Sequence, residues 1–461
     1  MNEAGEGDSR KLRILLIAYE FPPSPSPQSL RWAYLTNRLA ALGHEVHVLA
    51  PDIGGSMEGL PDPGPGVHIH RTWAGPVRAL LGWLARKRPP ATPTSAVVSL
   101  EARAHEHSSS TTAPGTPLDL PAAESATLNW RGRLLERVKQ VASWFVFPDL
   151  RGEWTRPARR ALAELLHRVD PDVVVSSHEP ASTLALGLEA KRRGFRWVAD
   201  LGDPVLTSYT RRRWRGRAHA LEKAVMREAD HVVVTAERAH ALLRDRHGGI
   251  APVTVVTQGF DEHFPTAGPV PSGDGARLEL LYTGRFYRFR NPRTLVDAVL
   301  KVPGVRLSIA SGDVPDWLVA AGRAHPDKLR LLGRVAHRSL LGAQRHADVL
   351  VNLANADPCQ VPGKFYEYLG AGRPVLHVSG GQGPDAAADL IARLRRGWAC
   401  QGEMTAIAVV LARLAESKQA GKLTDGLDLD RAPVAPWSWH ACAATLAMAL
   451  QQAVPPGVKN P

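Results

Sequence analysis

Two residues in the last third of the chain carry the sharpest chemical signal. Lys364 and Glu367 stand three apart within CQVPGKFYEYLGAGRPVL, residues 359–376, a spacing that puts both side chains on one helical face. Pro362-Gly363 opens the helical run, Phe365 and Leu369 share a face, Gly370 and Gly372 are expected to stop it, and Pro374-Val375-Leu376 begins the next strand. A strand, a turn and a helix N-terminus ahead of a cation and a carboxylate is how α/β proteins hold a phosphate and a ribose together. A second cluster, Arg285, Arg288, Arg290 and Arg293, follows a predicted strand ending in Thr283-Gly284-Arg285. Glycine there lets a ligand approach the backbone, and guanidinium groups can clamp a diphosphate through paired, charge-assisted hydrogen bonds. Arginines in a loop also make an ordinary solvated face. These gain weight because Lys364 and Glu367 fall at the same sheet edge three strands later. The run Gly380-Gly381-Gln382-Gly383-Pro384 and a helix starting near Asp385 offer further amides to a phosphate, or form a plain βα turn.

The elements that must position these residues alternate. A strand at 13–18, a proline- and serine-rich loop at 20–29, a helix at 30–42 ending at Gly43 and a strand at 45–49 make a βαβ opening, which argues for a parallel sheet. A third strand is expected at 67–71. From Ala158 come a helix to 167, a strand at 173–176, a helix at 181–193 and a strand at 196–201. A helix at 217–228, a strand at 231–235, a helix at 237–247 and a strand at 253–257 follow. Residues 265–275 have linker composition. Strands at 278–282, 305–310, 329–332, 349–353 and 375–378 form a second series. Residues 427–437 are irregular, and 438–453 make a final helix. The reading is α/β: two doubly wound Rossmann-like domains, 1–264 and 277–436, joined by a linker at 265–276, with a last segment at 437–461. Their facing C-terminal strand edges would form the cleft, because ligands sit at that end of open parallel sheets.

At 461 residues the chain exceeds one ordinary core. Its net charge of +12 suits an anionic partner, whether nucleotide phosphates, an acidic membrane surface or nucleic acid, and equally a solvated basic surface. No nucleic-acid signature accompanies the charge, so no nucleic-acid partner is expected. Cys359, Cys400 and Cys442 are far apart and form no CxxC pair, which argues against a disulfide framework or a zinc site and fits a reducing cytosol. The first apolar run is too short for a signal peptide, and none reaches the roughly 18 residues of a spanning helix, so a cytoplasmic location is expected. Residues 88–127, dominated by Pro, Ala, Ser and Thr, read as a disordered insertion. The flanking segments 77–87 and 130–147 mix apolar and basic residues at helical spacing. They could lie on an anionic membrane at its inner face, or bury one ordinary face.

Three segments, TGRFYRFRNPRTLVDAV, LGRVAHRSLLGAQRHADVLVNL and PGKFYEYLGAGRPVL, together resemble the donor half of family 4 glycosyltransferases, which have the two-Rossmann GT-B fold. RILLIAYEFPP, RLAALGHEVHVLA, PDVVVSSHEPAST, WVADLGDPV and EADHVVVTAE resemble the acceptor half. The resemblance covers most of the chain outside 88–127 and the termini, and the donor-half run is its specific part. It implies retaining transfer of a sugar from a nucleoside-diphosphate sugar, with no catalytic metal and no separate cofactor. Arg285 matches the arginine after the family's strand-end glycine, here Gly284. Arg290 falls where a lysine often stands, and Lys364 adds a cation, all neutralising the departing diphosphate. Gly363 and Gly381 complete the donor loops. Glu367 matches the second glutamate of an E-x7-E motif and would accept hydrogen bonds from the ribose hydroxyls.

The chain departs from that family in three places. Cys359 occupies the position of the motif's first glutamate, with Asp357 the nearest carboxylate. Ser24-Pro25-Ser26-Pro27-Gln28-Ser29 replaces a glycine-rich loop. The histidine that many members use has no clear match. The corresponding strand end reads Asp200-Leu201-Gly202-Asp203, making Asp203 the catalytic candidate, with His178 and Glu179 as alternatives. Against these, Asp203 before Pro204 is a common turn starter, and a histidine at a strand end can cap a helix. The last helix is expected to cross back to the first domain, anchored by Trp437 and Trp439. The function expected is transfer to a glycan or lipid-linked acceptor in cell-surface polysaccharide synthesis. The alternatives are a non-catalytic nucleotide-binding scaffold and a nucleotide-sugar epimerase. Asp428-Leu429-Asp430 has the form of a metal-binding DxD, but lies in the irregular tail, away from the donor strands. No P-loop, GxSxG or HExxH motif is present.

Overall fold

The computed structural model describes residues 10–24, 26–54, 59–76, 78, 150–207, 210–249, 251–263, 275, 277–286, 290, 292–355, 360–381, 383 and 385–455. The insertion at 88–127, nearly all of its flanking segments and of the linker at 265–276, and Arg288, Asp357 and Cys359 lie outside the described residues.

The first sheet contains β1 (Arg13–Ala18), β2 (Glu45–Asp52), β3 (Val67–Trp73), β4 (Val173–His178), β5 (Trp197–Leu201), β6 (His231–Val234) and β7 (Val253–Val255). They run parallel in the order β3-β2-β1-β4-β5-β6-β7. The second sheet contains β8 (Leu278–Thr283), β9 (Val305–Ala310), β10 (Leu329–Gly333), β11 (Val349–Leu353), β12 (Val375–Ser379) and β13 (Gly397–Gln401). They too are parallel, in the order β10-β9-β8-β11-β12-β13. The central strands read as near-continuous apolar runs because helices cover both faces: β4, β5, β6, β8 and β11 are buried along their whole length. In each sheet the strand order reverses once, between β1 and β4 and between β8 and β11. Those two switch points are where an open α/β sheet offers a crevice.

The helices are α1 (Pro27–Ala41), α2 (Thr155–Val169), α3 (Ser182–Arg192), α4 (Arg215–Glu228) and α5 (Glu237–His247) in the first half. The second half has α6 (Arg293–Lys301), α7 (Asp316–Ala324), α8 (His337–His346), α9 (Gly363–Ala371), α10 (Ala386–Leu394) and α11 (Met404–Gln419); α12 (Trp439–Ala453) ends the chain. α12 crosses back: Trp439, Cys442, Leu446 and Leu450 join Trp32, Leu35 and Leu39 of α1 in one core. The chain passes between the halves at 256–263 and again at 437–439, and these two passages pair. The Phe260 amide donates to the Trp437 carbonyl at 3.1 Å, and the Trp439 amide donates to the Phe260 carbonyl at 2.9 Å. Trp439 stacks on Tyr34 at 5.2 Å in the first half, whereas Trp437 lies against Tyr366 of α9 in the second. The two tryptophans therefore anchor opposite sides of the crossing.

Several elements differ from the sequence reading. α1 starts at Pro27 rather than residue 30, because the Ser26 side chain accepts from the Ser29 amide and Pro27 fits the first helical turn. Gly370 does not stop α9. It lies within the helix, where an added Cβ would sit 2.2 Å from the Phe260 ring, and Gly372, at φ +69°, ends the helix instead. β13, α7, α8 and α11 were not placed from the sequence. The β13 sequence, GWACQ, has no alternation to read, and its Gly397 lies so close to Val375 that a Cβ would meet the Val375 carbonyl. Among the described residues no helix is long and apolar enough to cross a membrane.

Candidate active site at the strand edges

On the second sheet the site is built around α9. Its N-terminus has no side-chain cap, so its first amides point outward with the positive end of the helix dipole. One turn in, Glu367 is buried and holds the Lys364 ammonium, Nζ lying 3.0 and 2.8 Å from its two oxygens. Gln344 of α8 donates to Oε2 at 3.2 Å. Burial alone would raise the Glu367 pKa. The Lys364 charge, the electrostatic contribution of His337 and the hydrogen bonds from Lys364 and Gln344 outweigh it, and the carboxyl lies below its usual value. This is a buried carboxylate kept ionised.

The same network reaches the switch point. Tyr368 Oη lies 2.8 Å from the amide and 2.9 Å from the hydroxyl of Thr283, the last residue of β8, and Gln344 Nε2 stands 3.4 Å from that hydroxyl. Arg290 donates to the side-chain oxygen of Asn355, just past β11, and so spans the crevice between β8 and β11. Arg285 points toward the β9 side and forms an exposed pair with Asp313 at 2.8 Å. Exposed pairs of this kind exchange readily with other anions. Gly284 adopts φ +151°, Gly363 packs against the Gln258 side chain, and an added Cβ on Gly381 would face open space. Arg293 turns away, its guanidinium 4.8 Å over the Trp317 ring.

One expectation finds a different occupant. Amides at the start of α10 are taken by the chain's own Asp385, whose carboxylate accepts from Ala387 and Ala388 at 3.1 and 3.2 Å. His377 and Ser379 hold its other oxygen at 2.7 and 2.9 Å. Burial would raise this carboxyl's pKa, but those bonds and the His377 charge prevail and depress it strongly. The start of α10 is therefore closed by the chain's own carboxylate, whereas the start of α9 has no side-chain cap.

On the first sheet, His178 and Asp203, read from separate strand ends, come together. The His178 Nδ1 hydrogen donates to the Asp203 backbone carbonyl at 2.9 Å, so through this contact the His178 ring holds the turn at Asp203-Pro204 rather than a helix end. That bond fixes the ring's tautomer and leaves Nε2 as the acceptor nitrogen. Glu179 is exposed. Beneath them, Gln28 of α1 donates to Ser177 Oγ at 2.8 Å and Asp200 Oδ2 at 3.0 Å. Fully buried Arg31 meets Asp200 Oδ1 at 3.1 Å and the Thr257 carbonyl at 2.5 Å.

The halves meet beside Glu367. Tyr34 Oη of α1 lies 3.3 Å from His337 Nε2 at the start of α8. Burial lowers the His337 pKa to about 4; nearby Lys364 acts in the same direction, and Glu367 and Asp261 oppose it, so the imidazole is neutral near pH 7. Gln28, Arg31, Tyr34, His337, Gln344 and Asn355 were not singled out from sequence. Gln28, Arg31 and Tyr34 recur every third residue on a largely buried helix, and Gln344 is the buried polar residue among Leu340, Leu341 and Ala343. Those two patterns were legible. His337 carries no local signal.

Residues 98–264 match the family described as Glycosyltransferase Family 4. No curated protein matches the chain in sequence. Among solved structures, a sucrose-phosphate synthase from Thermosynechococcus elongatus is similar at 16% identity, over 96% of this chain and 99% of that one, with a TM-score of 0.64. An E. coli structure described as trehalose-6-phosphate bound with UDP-2-fluoro glucose follows at 14%, 95% and 99%, with a TM-score of 0.56. Anabaena HepE in complex with UDP-glucose is similar at 13%, 96% and 98%, with a TM-score of 0.52. At these identities the likeness shows a shared two-sheet GT-B fold.

Proposed function

We propose that this chain, whose residues 98–264 match the family described as Glycosyltransferase Family 4, moves a sugar, with retention and without a catalytic metal, from a nucleoside-diphosphate sugar to a glycan or lipid-linked acceptor. The observation that carries the donor reading is the ionised Glu367, buried one turn below the uncapped start of α9 and held by Lys364. Ribose hydroxyls entering there would replace Lys364 on the carboxylate, an acceptor-only group suited to them. The released ammonium would then lie beside the diphosphate, together with Arg285, Arg290 and the helix N-terminus. Negative charge grows on that diphosphate as the glycosidic bond breaks, so these groups act where the transition state needs them. His178, through Nε2, and Asp203 would face the acceptor from the first sheet.

In this reading residues 1–264 take the acceptor, 277–436 take the donor and 437–461 tie the two. The basic, apolar segments at 77–87 and 130–147, with the net charge of +12, support work at an anionic membrane face on the cytoplasmic side, in polysaccharide assembly. The test is a thermal-shift panel of nucleoside diphosphates and their sugars, because a ligand bound only to the folded state raises its apparent stability. One nucleotide should raise the melting temperature, and Glu367→Ala should abolish that rise. No shift with any nucleotide would refute the donor site.

A further inference from the structure

We propose that Glu45, His47 and His68 form a surface site for a divalent cation of the zinc class, at the edge of the first sheet and remote from the strand ends that carry the transferase site. Parallel register sets His47 beside His68 and Leu49 beside His70. Alternation along the strands then puts Glu45, His47, His68 and His70 on one face of the sheet. Glu45 Oε1 lies 2.9 Å from His47 Nε2, and the ligand atoms of Glu45, His47 and His68 all lie within 4.8 Å of one another. Around a tetrahedral zinc ion with bonds of about 2.0–2.1 Å, ligand atoms stand roughly 3.4 Å apart. Glu45 and His68 are exposed, so rotamer changes in these two side chains can close the difference. Two imidazoles and a carboxylate suit zinc, nickel or copper rather than magnesium or calcium.

His47 is the pre-set ligand. Its Nδ1 lies 3.0 Å from His70 Nε2, with the two ring planes 7° from parallel, the kind of outer hydrogen bond that orients a metal-binding histidine. Arg168 stands on the far side of His70, 3.3 Å from Nδ1. A guanidinium only donates, so His70 Nδ1 accepts, His70 Nε2–H donates to His47 Nδ1, and His47 Nε2–H donates to Glu45. A metal ion would take the place of that last hydrogen. Both rings then change tautomer: His47 carries its hydrogen on Nδ1 and donates it to His70 Nε2, while His70 carries its hydrogen on Nδ1. The two ring hydrogens are conserved, and Arg168 must release His70. Arg168 therefore opposes the ion, and the ion joins edge strand β3 to β2.

Asp261, Glu262 and His263 form a second group with ligand atoms equally close. Arg38 already holds Glu262 at 2.9 Å there and lies 3.9 Å from Asp261. The test is calorimetric titration of the tag-free full chain with zinc chloride, followed by thermal shift with and without EDTA. One zinc ion should bind per chain, with magnesium giving no heat. His68→Ala should weaken binding at least tenfold while leaving the melting temperature in EDTA unchanged, and Arg168→Ala should tighten it several-fold. The proposal is overturned if the wild-type chain binds no zinc, if His68→Ala binds as tightly as wild type, or if His263→Ala is the variant that loses the ion.

Discussion

Tyr34 Oη stands 3.3 Å from His337 Nε2, so the first helix of one half rests on the residue that adjoins Glu367 in the other. Tyr34 is itself stacked on Trp439 at the start of the crossing helix. One phenol thus touches the crossing segment and, through His337, the Glu367 side of the site. Closing or opening of the halves about the Phe260–Trp437 pairing must change this contact, which places a neutral imidazole where the two halves report to each other.

That imidazole makes stability depend on pH in a defined window. Its folded pKa of about 4 lies below the ordinary 6.5 because burial disfavours the cation. Between those values the unfolded chain binds the proton and the folded chain does not. The neutral histidine's contribution is therefore fully present above pH 6.5 and is lost as pH falls toward 4. From pH 7 to pH 5 the wild type should lose about 2 kcal/mol relative to His337→Gln. Urea denaturation of both proteins at the two pH values measures this, and parallel losses would remove His337 from the account.

Lys364→Met should reverse the sign of a neighbouring effect. In the wild type the Glu367 pKa is depressed, so its contribution is present above the ordinary value of 4.5 and lost as pH falls below it. Without Lys364, burial is opposed only by His337 and Gln344, and the carboxyl favours its neutral form. The variant should be less stable at pH 8 by on the order of 3 kcal/mol, the cost of a buried charge that has lost its partner. The gap should narrow at pH 5, as the acid becomes neutral. A gap independent of pH would mean that Lys364 acts through packing alone.

How far the sequence spoke for itself follows from the range of each interaction. The apolar runs ILLIA at 14–18 and VVV at 173–175 show no alternation and announce buried parallel strands. Lys364 and Glu367 were legible as a pair because three residues of helix join them. Tyr34 and His337 are 303 positions apart and Arg290 and Asn355 are 65 apart, and no local pattern encodes such meetings. Gly370 shows the opposite failure. Locally it looks like a helix stop, but its missing side chain is set by the ring of Phe260, more than a hundred positions earlier.

Gly370→Ala makes that last point testable. The backbone there is helical, and alanine favours a helix over glycine, so local propensity predicts a gain in stability. Contact predicts a loss, since the new Cβ would lie 2.2 Å from Phe260, a fully buried ring at the passage between the halves. Overpacking of this kind costs about 1–3 kcal/mol, and contact should win. The melting temperature should fall, and Phe260→Leu in the same chain should restore part of it. A rise on Gly370→Ala alone would show that the passage is loosely packed.

The buried pair of Arg31 and Asp200 separates stability from arrangement at the first-sheet site. Both side chains are fully buried 3.1 Å apart, and the Arg31 Nε hydrogen finds no partner among the described residues. Burying two charges costs desolvation that their attraction barely recovers, whereas leaving one alone is severe. Asp200→Leu alone should therefore cost about 3–5 kcal/mol. Arg31→Met combined with Asp200→Leu should return close to wild-type stability in chemical denaturation. The pair's geometry predicts a different result for activity. Asp200 Oδ2 also accepts from Gln28, which in turn donates to Ser177 beside His178. The double variant removes that acceptor from the strand end below His178 and Asp203. It should fold, keep its response to the donor nucleotide, and lose transfer to the acceptor. Equal transfer by the double variant and the wild type would show that the buried charges serve stability only and play no part in setting the acceptor edge.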